Sequence, residues 1–312
     1  MARKSRINFP GAVYHVILRG NAGGPIFFDD RDRYRLYLIL QQTVERFRYR
    51  IHGFCLMTNH VHFIMQVGDI PLSSIMQNLS LRYTKWINFS QGLTGHVFQG
   101  RYKALLLDAD SYLLEIVRYV HLNPVRAGMV GAPEDYPWSG HRAYLGVEII
   151  PWLNSDWLLS MFSDKIDIAR IKYRSFVADG MAEKRRNEFH RGTSEGRILG
   201  DDTFVDEALC KANQVRRQTF SLNDVVMAVC RRYGISERQL KAHGKIRPYT
   251  EARALLALLV KEHAHLSLTE LGRLLGRDIS PLSRSAQRLV VNAETEPRLA
   301  KLIRDLRNEL LN

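Results

Sequence analysis

The chain has 312 residues, 46% of them hydrophobic and 25% charged, with a formal net charge of +13. This is ordinary globular composition at a length that allows two domains, each with its own core. Its cysteines, Cys55, Cys210 and Cys230, form no CxxC and no disulfide framework, which argues against thiolate–zinc chemistry, and no apolar run approaches the ~18 residues of a membrane span.

The opening MARKSRINFPG is basic with no apolar run behind it, so no signal peptide is expected; the location expected is cytoplasmic and nucleoid-associated. Val13 to Leu18 reads as a strand ending at Arg19-Gly20-Asn21. Arg31 to Phe47 has helical spacing, with Asp29 and Asp30 as caps. Phe54 to Val67 is β-prone, and Pro71 to Phe89 reads as a helix with Pro71 near its first turn. Val97 to Leu107 reads as a strand region holding Arg101 and Lys103, and Asp110 to His121 as a helix capped by Asp110. The order β-α-β-α-β-α predicts an α+β fold, an antiparallel sheet with helices on one face. After a turn-rich stretch at 133–140, Trp152 to Phe162 and Ile168 to Met181 look helical, and polar residues 184–202 read as a linker or mobile loop. The end of the chain reads as all-α: Leu222–Tyr233, Glu251–His263, Leu268–Leu275, Pro281–Val290 with Ser280 as cap, and Arg298–Leu311. The expected domains are therefore 1–146, a helical connector and linker at 147–218, and a helical domain at 219–312.

Charge follows the same division. Residues 1–130 carry a net +8, residues 131–218 a net −1 and residues 219–312 a net +6. Two basic blocks around a neutral one suit a polyanion such as nucleic acid, because phosphate neutralisation dominates its sequence-independent affinity.

Within Thr58-Asn59-His60-Val61-His62-Phe63, a strand would place His60 and His62 side by side on one face. Two neutral imidazoles make a bidentate divalent-metal site, although a His-x-His pair also occurs on solvated strands. On the helix ending near residue 123, Tyr119 and Asn123 stand four apart and share a face. Asn123 offers a carbonyl oxygen to a hard cation, and Tyr119 a phenol that needs help to act as a nucleophile. Asn123 before Pro124 equally suits a helix cap. Tyr112 is a rival nucleophile, but its i+4 partner is Ile116; His52 and His121 are weaker ligand candidates.

These segments, with Tyr14-His15-Val16, Arg19-Gly20-Asn21, Phe98-Gln99-Gly100-Arg101 and Tyr119 to Gly128, resemble the HUH-type tyrosine transposases, nearest to the REP-associated (IS200-like) members, over about residues 8–146. The resemblance implies a ferredoxin-like sandwich in which His60, His62 and Asn123 bind Mg²⁺ or Mn²⁺. It implies that Tyr119 cleaves single-stranded DNA carrying hairpin-forming palindromic repeats, leaving a 5′-phosphotyrosine and a free 3′-OH. Arg19, Arg101 and Lys103 are the expected DNA contacts of this part.

A second stretch, about 219–291, resembles the C-terminal helix-turn-helix of the bacterial replication initiator in Val229 to Ser236 and Leu266 to Asp278. It implies that Leu268–Leu275 and Pro281–Val290 form the motif, the latter lying in the major groove of duplex DNA. Lys245, Arg247, Arg273, Arg277, Arg284 and Arg288 are the expected contacts. Ile279, Pro281 and Ser283 replace a His, a Thr and an apolar residue of the initiator's pattern, so its target site is not expected to carry over. Two other readings stay open: a non-enzymatic, sequence-specific DNA-binding regulator, and a metal hydrolase using Asp108 or Asp110 as base.

Overall fold

A computed structural model describes residues 7–183, 186–194, 196–218, 220–242, 244, 246–263 and 266–311, so the expected contact Lys245 lies outside the described residues. The chain divides into two compact units, Met1–Asn213 and Gln214–Asn312.

The first unit opens with β1 (Val13–Arg19), α1 (Asp30–Phe47), β2 (Arg50–Met57), β3 (His60–Gln66), α2 (Leu72–Ser90) and β4 (Lys103–Leu107). These strands are ordered β2-β3-β1-β4, with every pair antiparallel, which is the ferredoxin-like arrangement. The long β-prone stretch is a hairpin that turns at Thr58-Asn59, and Arg101 falls in the loop before β4. Asp29 caps α1 by accepting from the Asp32 N–H.

Alternation in β1 and β3 sorts the side chains onto two faces. Tyr14, Val16, Leu18, Val61, Phe63 and Met65 pack with Leu36 and Leu40 of α1 and Ile75 and Leu79 of α2. That is the expected helix-covered face. The opposite face is covered too: Val13, Ile64, Leu105 and Leu107 share a core with Ile116, Val117 and Val120 of α3 (Ala109–His121).

The chain continues through α4 (Asn123–Arg126), α5 (His141–Tyr144), α6 (Asp156–Ser160), α7 (Ile166–Asp179), α8 (Glu188–Arg191), β5 (Ile198–Leu199) and α9 (Asp202–Gln218). Leu158, Tyr173, Phe189 and Leu199 enter the α3-side core, while Ile198, Ala208 and Ala212 enter the other. β5 pairs parallel to β4 as a fifth strand. The stretch expected to be a connector and linker is thus built into the first unit as far as Asn213. The anchors of α7, Ala169, Tyr173 and Val177, keep helical spacing, but Phe189, Ile198 and Leu199 are isolated in polar sequence and leave no periodic signal.

The second unit holds α10 (Leu222–Tyr233), α11 (Glu237–Lys241), α12 (Tyr249–Glu262), α13 (Leu268–Leu275), α14 (Ile279–Thr295) and α15 (Pro297–Leu311) around its own core. Ser221 and Asp224 form a reciprocal capping box on α10. α14 begins two residues earlier than Pro281, with extended Asp278 as its cap. Pro281 is tolerated there because first-turn N–H groups have no intrahelical partner.

Candidate active site

Strand register assembles the first half of the site. Ile17 of β1 pairs with His62 and Arg19 with His60, so Arg19, His60 and His62 share one end of the α3-side face. α3 and α4 bring the second half, Tyr119, Asn123 and Arg126. α3 ends at His121, but Leu122 keeps helical dihedrals (φ −86°, ψ −1°). The break therefore leaves Asn123 stacked over Tyr119, with its Nδ2 donating to the Tyr119 carbonyl at 3.0 Å. These six residues line a cleft of ≈ 620 Å³ together with Asn59, Glu183 and His190.

Hydrogen bonds fix which nitrogen each histidine offers. A carbonyl only accepts, so His15 Nδ1–H donates to the Phe189 carbonyl at 2.9 Å. Burial first of all pushes His15 down to about 3, so the ring is neutral and its Nε2 is an acceptor. His62 Nδ1–H then donates to that Nε2 at 2.8 Å, which leaves Nε2 as the atom His62 turns away from His15. Asn59 spends its amide nitrogen on the Gly23 carbonyl and presents Oδ1 to His60 Nδ1 at 2.7 Å. His60 is pushed down to about 4, by burial first and then by Arg19 and His190. Both imidazoles are oriented by an outer hydrogen bond at Nδ1, as a metal ligand requires. The amide nitrogen of Asn123 is committed to helix carbonyls, leaving Oδ1 as its cation donor. Among the described residues no group of three or more His, Cys, Asp or Glu side chains is placed to hold an ion. The donor set that fits is two imidazoles and this amide oxygen.

Tyr119 is almost fully buried, at 4% exposure. Its hydroxyl stands 2.6 Å from His190 Nε2, and its ring packs edge-on against Phe189. Arg126 lies over the ring at 4.8 Å and donates to the Tyr119 carbonyl at 3.0 Å. A guanidinium so placed packs as a cation on the ring face and holds the ring against α3.

In the second unit, α13 and α14 present the basic side chains. Arg273, Arg277 and Arg288 line a groove of ≈ 800 Å³. Arg288 and Arg247 line a neighbouring hollow, and Arg284 a shallow one with Arg288 and Val291. Arg277 also donates to the Ala242 carbonyl at 2.8 Å, so it supports the loop before α12 as well.

The sequence profile of the IS200-like transposases matches residues 8–123. That match spans the four antiparallel strands and the helix that carries Tyr119. A putative REP-associated tyrosine transposase of Haemophilus influenzae is 25% identical over 157 residues, covering 43% of this chain and 88% of that one. A solved structure of a REP-associated tyrosine transposase bound to a REP hairpin covers 49% of this chain and 92% of its own, at 19% identity and a TM-score of 0.41. The bacterial DnaA helix-turn-helix profile matches residues 222–288. The chromosomal replication initiator DnaA of Herpetosiphon aurantiacus is 29% identical over 96 residues, 30% of this chain and 20% of that protein.

The first unit gathers Arg19, His60, His62, Tyr119 and Asn123 in one cleft. Arg101 is exposed outside the cleft lining. Lys103 opens β4 in register with Ile17, near enough to His15 to lower it slightly. The weaker ligand candidates take structural places: His52 bonds Gln66 and the Asn154 carbonyl, and His121 bonds the Tyr173 hydroxyl at 2.6 Å. Asp108 is the residue before α3, and neither it nor Asp110 lines the cleft. Tyr112 is absent from the lining too. Sequence reasoning assigns no role to His15, Arg126 or His190. A histidine beside buried Phe189 in a polar tract is the faint signal for the last.

Proposed function

We propose that the first unit cleaves and rejoins single-stranded DNA through a 5′-phosphotyrosine on Tyr119, acting on hairpin-forming, REP-like repeats. The observation that carries this reading is one cleft holding a buried tyrosine hydroxyl, two strand imidazoles each held at Nδ1 by a hydrogen bond, and two guanidinium groups. The Tyr119 oxygen attacks a phosphorus atom, the P–O3′ bond breaks, and a 3′-OH is released. The bond energy stays in the phosphotyrosine, so a 3′-OH of another strand can reverse the step. Arg19, on the cleft lining, would bind the phosphate, and Arg126 would steady the ring that bears the nucleophile. His60, His62 and Asn123 would hold Mg²⁺ or Mn²⁺, which supplies Lewis-acid polarisation of the scissile phosphate. The second unit is proposed to bind duplex DNA through α13 and α14, with Arg247, Arg273, Arg277, Arg284 and Arg288 on phosphate or bases. The choice of REP-like repeats is supported by the Haemophilus influenzae relative, a putative REP-associated tyrosine transposase aligned over 88% of its length.

The test is incubation of the full chain with a labelled hairpin oligonucleotide and Mn²⁺, followed by denaturing electrophoresis. A covalent protein–DNA band is expected that disappears in Tyr119→Phe. His60→Ala should lose cleavage and keep hairpin binding. No band from the wild type, or one that survives Tyr119→Phe, sinks the proposal and favours a regulator that only binds DNA.

A further inference from the structure

Resting on that reading, we propose that His190 is a catalytic residue of the tyrosine step, taking the phenol proton as the Tyr119 oxygen bonds to phosphorus. Position is the first argument. The hydroxyl–Nε2 separation of 2.6 Å is the shortest class of neutral hydrogen bond, and it lies on the one oxygen that reacts. With His190 in the Nδ1–H tautomer, the hydroxyl donates to Nε2, so the acceptor is aligned before attack.

Anchoring is the second argument. His190 sits on a four-residue helical turn that could not hold a position by itself. Its neighbour Phe189 is 1% exposed in the α3-side core. Arg186 covers the Phe189 ring at 4.4 Å and pairs with Glu188 and with Glu115 of α3. Downstream, the chain is pinned where β5 joins β4. The placement of His190 is therefore determined by packing on the element that carries the tyrosine.

The step balances. The phenol O–H bond breaks and its proton passes to His190 Nε2; the Oη–P bond forms and the P–O3′ bond breaks; the departing 3′ oxygen is protonated by water. On rejoining, the 3′-OH gives up its proton to water, and His190 returns one to the leaving tyrosine oxygen.

The experiment compares adduct formation by the full-length wild type, His190→Ala, His190→Gln and Tyr119→Phe on the hairpin oligonucleotide with Mn²⁺. It also measures hairpin affinity, Mn²⁺ affinity and the melting temperature of each. His190→Ala should form adduct at least about 100-fold more slowly, with both affinities unchanged. Added imidazole should restore part of its rate and none of the rate of Tyr119→Phe. His190→Gln keeps a hydrogen-bond acceptor but cannot carry a proton, so it should be as slow as alanine, and it serves as the probe if alanine fails to fold. An adduct that is lost in Tyr119→Phe but forms at the wild-type rate in either His190 variant overturns this assignment alone. So does a rate loss that tracks a loss of Mn²⁺ affinity, which would make His190 a ligand.

Discussion

His15 and His62 are joined by one hydrogen bond of 2.8 Å, with their rings stacked 5.1 Å apart and nearly parallel. The bond ties the tautomer of an expected metal ligand to a residue on the neighbouring strand. Replacing His15 by Phe keeps the buried ring and removes the acceptor. Losing the outer partner of a ligating histidine typically weakens metal binding about 10–100-fold. Titration of His15→Phe with Mn²⁺, followed by electron paramagnetic resonance, should show that weakening. An unchanged affinity would mean that His62 needs no partner to orient it.

Phe189→Ala should act at a distance from its own side chain. Removing a fully buried phenylalanine costs about 3–5 kcal/mol where the site cannot collapse. The same change frees the turn bearing His190 and the carbonyl that His15 bonds. A lowered melting temperature is expected, together with cleavage that falls further than hairpin binding. Stability loss with normal cleavage by the folded fraction would separate the anchor from the site.

His141 gives the first unit a pH dependence. It is buried, bonds the Tyr173 hydroxyl at 2.9 Å and is pushed down to about 4, by burial first, with Glu134 raising it and Arg174 lowering it. Its ring also packs edge-on against His121, and its Nε2 lies 3.7 Å from Glu134. His52 is lowered in the same sense, chiefly by burial. A histidine whose folded value lies below its unfolded value binds its proton only after unfolding. Its stabilising contribution is complete above about pH 6.5 and is lost as pH falls toward 4, up to about 3 kcal/mol for His141. Thermal melts should therefore show the first unit several degrees less stable at pH 5 than at pH 7. His141→Gln should flatten the slope, and an unaltered slope would place the titrating groups elsewhere.

The exposed arginines of α14 are predicted to act through phosphate. Arg284→Ala and Arg288→Ala should each weaken duplex binding at low salt. Each should also reduce the slope of log affinity against log salt by about 1. Both side chains are exposed, so the melting temperature of the second unit should not move. Fluorescence anisotropy over a salt series measures this, and a parallel loss at every salt concentration would instead indicate a base contact.

Gly272 tests how α13 is joined to α14. A Cβ there would fall 2.8 Å from the Arg277 carbonyl oxygen, on backbone that has little room to yield. Gly272→Ala should destabilise the second unit and leave cleavage of a hairpin by the first unit intact, which separate melting transitions would show.

Much of this was written in local periodicity. Val61 and Phe63 alternate with His60 and His62 because a strand has period two, so the pair reads directly from sequence. Tyr119 and Asn123 follow the helical period, and Leu122 holds that period across the break that Pro124 suggests. His190 obeys no such rule. It reaches Tyr119 across 71 residues, from a polar stretch whose only local mark is Phe189. His15 lies in a readable strand, but its partner is set by register between β1 and β3, which no single strand records. The helix boundaries of the second unit read well where glycine or serine stops and caps are present, as at Gly234 and Gly276. They shift at α14, where an extended Asp278 takes the cap ahead of Ser280.

The docking of residues 186–194 and 196–199 sets where this chain can be recombined. A chimera cut near 146 would graft a new terminal module onto a body missing His190, the Phe189 carbonyl and the strand that closes the β4 edge. A cut after Asn213 keeps all three. The interchangeable portion is the helical module alone, and the polar stretch before it travels with the first unit.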